Sequence, residues 1–426
     1  MRHRHAPPGF ARRPARQRGV VAIIVGLAIA VLLGFAGLAL DGGRLYINKT
    51  ELQNAADACA LAASRELTCD PAVASCGTSH LEAAQAAGIA VAARNVNDFQ
   101  RNTVAIAPAD VRFHTELAPN EAYRSIAEGA DPASRYVMCI ARQEGLLPWF
   151  MQVLGLGAQT VGAHAVATLA PAQTNCGIPL AMCSQGPATA SPPFGLVPGR
   201  WYDGRFDAGG GLTGNFNWID FTPPAGGQSE LAALLTGSGV CNMNVPNPVG
   251  QTGVLGNAAA RAWNSRFGLY QSGPTNLNTA PPDRTGYAYT NVNWDAAAGN
   301  ALGDFLSRRA TGDNYGSTVQ AGNTLTGLSI SNAYNPTTTP AQHLASGADR
   351  RLVTAPIVNC GEWAGSNTVP IRAWACVLML HPIGHPSDIV YMEYLGLSSD
   401  PASPCATSGS VGGPGSVGPL VPALVQ

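Results

Sequence analysis

"GVVAIIVGLAIAVLLGFAGLALDGGRLYINKTELQNAADACALAA", residues 19–63, decides how the rest of the chain is read. Its first half, Val20–Leu40, holds 21 consecutive uncharged residues, nearly all aliphatic, alanine or glycine. As a helix rising 1.5 Å per residue, such a run spans the roughly 30 Å hydrocarbon core of a bilayer. A secretory signal normally carries an apolar region of only about 7–15 residues followed by a small-residue cleavage site. The length therefore favours a retained anchor over a cleaved signal, although "AGLALDGG" offers small residues at which cleavage is the alternative. Six of the 25 basic residues (Arg2, Arg4, Arg12, Arg13, Arg16 and Arg18) precede the run, with no acid among them. Positive residues flanking a first apolar helix stay in the cytoplasm. The expectation is a single-pass protein of the inner (cytoplasmic) membrane, with its N-terminus in the cytoplasm and its body in the periplasm or extracellular.

The stretch does not stop at the membrane. Asp41-Gly42-Gly43 weakens a helix, since adjacent glycines are poor helix formers. Yet Leu45, Leu52, Ala55, Ala56, Cys59, Ala62 and Ala63 resume a helical stripe, with Lys49, Glu51, Asp57 and Arg65 mostly off it. A continuous helix from Val20 to Leu67 would be about 72 Å long; two helices hinged at the glycines are the alternative. Within the span, Gly26-x-x-x-Ala30-x-x-x-Gly34 gives small-xxx-small spacing, with Gly37 a further small residue, suited to close helix packing, including a homo-oligomer. Asp41 and Arg44 fix depth at the interface, because a charge deep in lipid is costly.

These positions resemble the N-terminal segment shared by Tad/Flp pilus-assembly proteins of the TadE/TadG-like group. The resemblance rests on Arg18, Gly19, Asp41, Gly43, Arg44, Leu52, Gln53, Ala55, Asp57, Ala58, Leu61 and Ala62, with Cys59 where the family usually has alanine. It covers about 50 of the 426 residues. Weaker echoes are "GNFNWIDF" at 214–221 and "RRLVTAPIVNC" at 350–360. The resemblance implies a non-enzymatic, membrane-anchored component of a Tad/Flp-like pilus or secretion assembly, partnered by other Tad-like proteins through the N-terminal helix. Two family features are absent. A cut after Gly19 would place Ile24 where prepilin-peptidase substrates carry glutamate, and the Asp-x-Ser-x-Ser motif of the von Willebrand-like domain does not occur.

The remainder points to an α+β fold: a long N-terminal transmembrane helix continuing outside the membrane, followed by a mixed, loop-rich extracytoplasmic body. The expected organisation is a basic tail (1–19), the transmembrane helix (20–40), a helical stalk (41–100), a body (101–400) with long insertions at 171–253 and 271–348, and a flexible Gly/Pro-rich tail (401–426). Two subdomains divided near residue 171 are the alternative to one body. "SHLEAAQAAGIAVAARNVNDFQ" reads as a second helix packed on the first, and the cap of the helix in "GQSELAALLTGSG" is read at Ser229. Val111, Phe113, Val137, Met138, Ile140, Val161 and Val166 read as strands, with "LPWFMQVLGLGAQTV" between two of them a short helix or loop. Three further strands of one sheet are read from residue 350 onward.

Composition limits the chemistry. With the six arginines set aside, the remaining 19 basic residues face all 26 acids and leave a formal charge of −7, so no basic nucleic-acid footprint exists. The ten cysteines suit an oxidising compartment. Disulfides could close the short loops Cys69–Cys76 and Cys176–Cys183. Lys49 is the only lysine, which excludes a Walker A loop. Neither a Gly-x-Ser-x-Gly elbow nor a His-Glu-x-x-His motif occurs, and no cofactor is expected. His381, His385 and Asp388 as a metal site, or Asp203 and Asp207 as a calcium loop, are weaker readings than ordinary turn residues. Trp201, Tyr202, Phe206, Phe216, Trp218 and Phe221 either close a small core or form an aromatic surface. In the second case the protein would be a cell-envelope binding protein for polysaccharide or peptidoglycan, with Trp201, Tyr202 and Trp218 stacking on sugar rings.

Overall fold

The computed structural model describes residues 18–68, 76–99, 102–205, 214–223, 227–241, 248–251, 257–271, 275–315, 326–328, 330, 335–336, 338–364, 366–384, 389–413 and 415–426. The chain forms two compact units. Residues through Leu169 together with Pro422–Gln426 make the first, and Ala170–Val421 the second. The boundary falls beside residue 171.

Helix α1 (Arg18–Ser64) is unbroken through Gly42-Gly43. A Cβ added at either glycine would meet nothing, so nothing there inserts into the helix to bend it. Its apolar portion includes an 18-residue window of mean hydropathy 2.8. Beyond it the stripe turns inward: Leu52, Ala55, Ala56, Cys59, Ala60 and Ala63 are all fully buried. Helix α2 (Ser79–Ala92) packs on that stripe through Leu81, Ala84 and Gly88. The approach is close because Gly88 lacks a side chain; a Cβ there would stand 2.9 Å from the Cys59 sulfur and 3.2 Å from the Ala63 Cβ. After the short pair β1 (Val96–Asn97) and β2 (Asn102–Thr103) comes an antiparallel sheet of β3 (Val111–His114), β4 (Tyr136–Leu146) and β5 (Gln159–Thr174). Its alternating Val111, Phe113, Val137, Cys139, Ala141, Ala163, Ala165 and Ala167 face the helices and share one core with them. A Cys59–Cys139 disulfide ties α1 to β4 within the same chain.

The second unit is built on an eight-stranded sheet. Its strands in chain order are β6 (Leu180–Cys183), β7 (Trp201–Arg205), β8 (Phe216–Asp220), β9 (Val249–Gln251), β12 (Leu352–Val358), β13 (Thr368–Val369), β14 (Ala373–Met379) and β15 (Ile389–Leu397); β10 (Leu269–Tyr270) and β11 (Asn335–Pro336) form a separate pair. The order across the sheet is β13-β9-β8-β6-β12-β14-β15-β7, antiparallel except for β6 beside β12. β12, β14 and β15 are neighbours, as read from residue 350 onward. Helices α3 (Gln228–Thr236), α4 (Asn257–Ser265), α5 (Leu302–Thr311) and α6 (Pro340–Ser346) complete the unit. The α3 cap is Gly227, one position before the helix, so Ser229 lies inside it rather than capping it. Three disulfides lie here: Cys176–Cys241, Cys183–Cys360 and Cys376–Cys405. The expected Cys176–Cys183 loop is not closed, because each partner is drawn to a strand or bridge brought alongside by the sheet. Cys69 lies outside the described residues.

The C-terminal stretch expected to be flexible forms strands. β16 (Ala406–Val411) pairs with residues 172–174 of β5, and β17 (Leu420–Leu424) also runs beside β5. Backbone pairing supplies the order that the Gly/Pro-rich composition does not announce: Val166 N–H donates to Gln426 O at 2.9 Å, and Val425 N–H donates back to Val166 O at 2.9 Å.

Candidate functional site at the base of the stalk

Residues carrying the sequence pattern divide into two ladders along one helix. The first sits where the apolar run ends. Asp41 is only 4% exposed, and its carboxylate accepts three backbone N–H bonds: Trp149 at 2.7 Å, Phe150 at 3.0 Å and Met151 at 2.7 Å. These belong to the turn after β4, which begins a short 3₁₀ segment at Met151–Leu154. The carboxylate thus does for this turn what a capping side chain does for a helix start, occupying donors that would otherwise lack partners. One turn further along α1, Arg44 makes a two-pronged pair with Asp98, both contacts 2.9 Å. Its remaining nitrogen donates to Leu147 O at 2.9 Å, and its guanidinium lies 4.7 Å from the Trp149 ring centroid. The fork geometry of arginine is needed here, because one side chain joins two loops and a ring at once.

Asp98 and Phe99 both have left-handed backbone, φ 50° and 58°. Asp tolerates that region, but a bulky phenylalanine does so rarely, and such a residue persists where its surroundings over-determine it. The Arg44–Asp98 pair supplies that constraint and leaves Phe99 stacked near Trp149 at 6.2 Å.

The second ladder lies higher on the same helix. Lys49 Nζ donates to Gly162 O at 3.1 Å, and Gln53 Nε2 donates to His164 O at 2.9 Å and to Asp57 at 2.8 Å. Four helical residues advance about 6 Å and two strand residues about 6.7 Å, so side chains at 49 and 53 keep step with carbonyls at 162 and 164. Residues 162, 164 and 166 direct their backbone groups to the same edge of β5. The helix covers the first two, and the 425–426 backbone covers the third. Between them they close an edge that would otherwise be open to pairing with another chain. Leu52, between Lys49 and Gln53, is fully buried.

Within the span, Gly26, Ala30 and Gly34 are uncovered, and a Cβ added at Gly26 or Gly34 would meet nothing. Gly37 differs: an added Cβ would stand 2.7 Å from the Phe150 Cβ. This glycine is occupied from within the chain and is not free to receive a partner helix.

Trp201, Tyr202 and Trp218 do not form a surface. Trp218 packs edge-on to Trp263 at 5.6 Å, Tyr202 accepts from Val197 N–H at 2.8 Å, and the Trp201 indole donates to Glu393 at 2.9 Å. All three are buried, which leaves no face for sugar stacking. Phe206 and Asp207 lie outside the described residues. Asp203 accepts from the Asn215 amide. His381 is buried; its ring accepts from Tyr391 N–H at 3.1 Å and its other nitrogen meets Pro382 O, while His385 and Asp388 lie outside the described residues. Among the described residues, no group of three or more His, Cys, Asp or Glu is placed to hold a metal.

Sequence reading missed a different cluster, the buried arginines. Arg351 uses all five N–H donors on carbonyls: Thr285, Tyr287, Leu380 and, twice, Met379. Arg266 and Arg350 together hold the C-terminal carbonyls of α3. Burial lowers Arg351 to about 10, with Asp283 opposing the shift, so the guanidinium stays cationic at neutral pH. These charges are consumed in binding main chain, and Asp283 itself accepts from the Arg350 and Arg351 amides. The only sequence cue is the adjacent pair Arg350-Arg351 opening an apolar strand.

Fold and site together define a protein with one long, apolar N-terminal helix whose far half is built into a mixed α+β domain. Residues 19–74 match the family model Tad, described as Flp pilus-assembly TadE/G-like. The matched segment takes in nearly all of α1, including Asp41, Arg44, Leu52, Gln53 and Asp57. No curated protein and no solved structure matches the chain.

Proposed function

We propose that this protein is a non-enzymatic, single-pass component of a Tad/Flp-like pilus or secretion assembly, its basic tail in the cytoplasm and its two units beyond the inner membrane. The observation that carries the reading is the TadE/G-like match over residues 19–74, which coincides with the membrane-length helix. Supporting it, the disulfides of both units suit an oxidising compartment. The arginine tail supports the orientation. Uncovered Gly26, Ala30 and Gly34 leave a small-residue face within the bilayer for a neighbouring anchor or a second copy. The buried charges of the second unit act on backbone carbonyls, as scaffold residues do.

Deleting the gene tests the reading. The expected result is loss of surface pili or of the corresponding secretion, together with reduced levels of partner proteins. Unchanged pili, adhesion and partner levels would overturn it.

A further inference from the structure

We infer that the turn following β4, residues 147–156, is a second membrane contact, lying in the outer boundary of the same bilayer that α1 crosses. The inference rests on the membrane-anchored reading and adds to it a surface that the N-terminal pattern does not contain.

Leu147, Trp149, Phe150, Val153 and Leu156 are all about half exposed or more, and Val153 is 89% exposed. Phe99, 45% exposed, stands beside Trp149. Scattered apolar residues on a surface need no explanation, but six gathered on two adjoining turns do. Their position selects the occupant. Phe150 rests on Gly37, three residues inside the end of the apolar run and therefore about 4.5 Å below it along the helix axis. If Val20–Leu40 fills the hydrocarbon, a turn seated on Gly37 is at the acyl–headgroup boundary, where aromatic rings are favoured.

The backbone is prepared for that depth. Non-helical main chain is excluded from lipid by its unpaired N–H and C=O groups. Here the Asp41 carboxylate takes the N–H groups of Trp149, Phe150 and Met151, and Arg44 takes the carbonyl of Leu147. The two charged residues at the edge of the span are thereby turned toward the loop's polar groups, leaving Leu147, Trp149, Val153 and Leu156 outward. The loop's placement against the anchor, at the depth where the apolar run ends, favours a lipid boundary as the occupant over a soluble partner.

The test uses the full chain reconstituted in vesicles of phosphatidylethanolamine and phosphatidylglycerol. A fluorophore is placed at Val153→Cys, with Leu32→Cys marking the span and Tyr46→Cys marking exposed helix above it. Nitroxide lipids labelled near the headgroup or deep in the acyl chain then quench according to depth. Amphipathic elements at this boundary lie about 5–10 Å deep, so the Val153 probe is expected to be quenched at least about twofold more by the shallow label than by the deep one. The Leu32 probe should show deep quenching, and Tyr46 less of either. A Val153 probe no more quenched than Tyr46, with Leu32 quenched deeply, would overturn this inference and leave the anchor standing. An unquenched Leu32 would overturn both. A companion Gly37→Leu variant, which displaces Phe150 from its seat, should reduce shallow quenching at Val153 while leaving Leu32 unchanged; no reduction would refute the seating of the turn on the anchor.

Discussion

The two units solve the same problem, holding irregular segments in place, with opposite materials. In the first unit the core is made of small residues, with alanines and Gly88 allowing α1, α2 and the sheet to approach closely. Its buried charges are carboxylates, Asp41 accepting the amides of the loop after β4 and Asp98 paired with Arg44. The second unit buries cations instead: Arg266 and Arg351 are almost completely buried, and long connections are fixed by guanidinium groups gripping carbonyls. A close-packed helical layer needs few polar devices, since the helix satisfies its own backbone. A sheet with long connections has many stray carbonyls, and each buried one left without a partner costs about 1–3 kcal/mol. Five donors on one rigid fork are an economical answer to that demand.

The sharpest way to break the comparison is Arg351→Ala. The carbonyls of Thr285, Tyr287, Met379 and Leu380 lose donors together, and the void beside Phe267 and Phe305 adds to the loss. The expected destabilisation of the second unit is at least about 5 kcal/mol. Hydrogen exchange read by peptide should show lost protection across β12, β14 and β15. Protection of β3 and β4 in the first unit should persist. Equal loss in both units would mean that the buried arginine is not a local device.

A smaller effect is expected from Cys59→Ala/Cys139→Ala. The crosslink joins residues 80 apart, for which the chain-entropy model gives about 4.5 kcal/mol and typical measured values are about 2–4. Here the first unit should lose protection while the second keeps it. A thermal midpoint unchanged from the parent would show that the small-residue packing alone holds α1 to β4.

These contrasts also explain what could be read from the sequence. The anchor, its continuation as a helix and the second helix were legible because each follows a periodic pattern, and the strands at 111–114, 136–146 and 352–397 alternate or run apolar in the same way. The division near residue 171 was visible only as an alternative, through a change of composition. What stayed hidden depends on distant partners. "LPWFMQVLGLG" looks like any connection until Asp41, 108 residues earlier, is seen to hold its amides. Cys183 gives no sign of pairing 177 residues away. Arginine is almost never fully buried, so Arg350-Arg351 reads as a surface pair until the carbonyls around it are placed. The Gly/Pro-rich C-terminal segment similarly reads as loose, because its order comes from the edge of β5 and from the Cys376–Cys405 disulfide, both supplied by distant partners.

The least costly change sharpens the boundary between folding and assembly. Gln53→Ala removes two hydrogen bonds, to His164 O and to Asp57, on the partly covered face of α1. Since a net hydrogen bond contributes about 1 kcal/mol, a loss of about 1–2 kcal/mol is expected in chemical unfolding of the full chain in detergent. Lys49 still covers the neighbouring carbonyl of Gly162, so the edge of β5 stays largely closed and the first unit remains folded. If the role of Gln53 is confined to this ladder, pili or secretion should be retained in cells carrying the variant, with the protein at near-normal level. Loss of assembly despite a stably accumulated protein would instead assign Gln53 to a partner contact. The stalk pattern would then serve two purposes, one facing its own sheet and one facing the assembly.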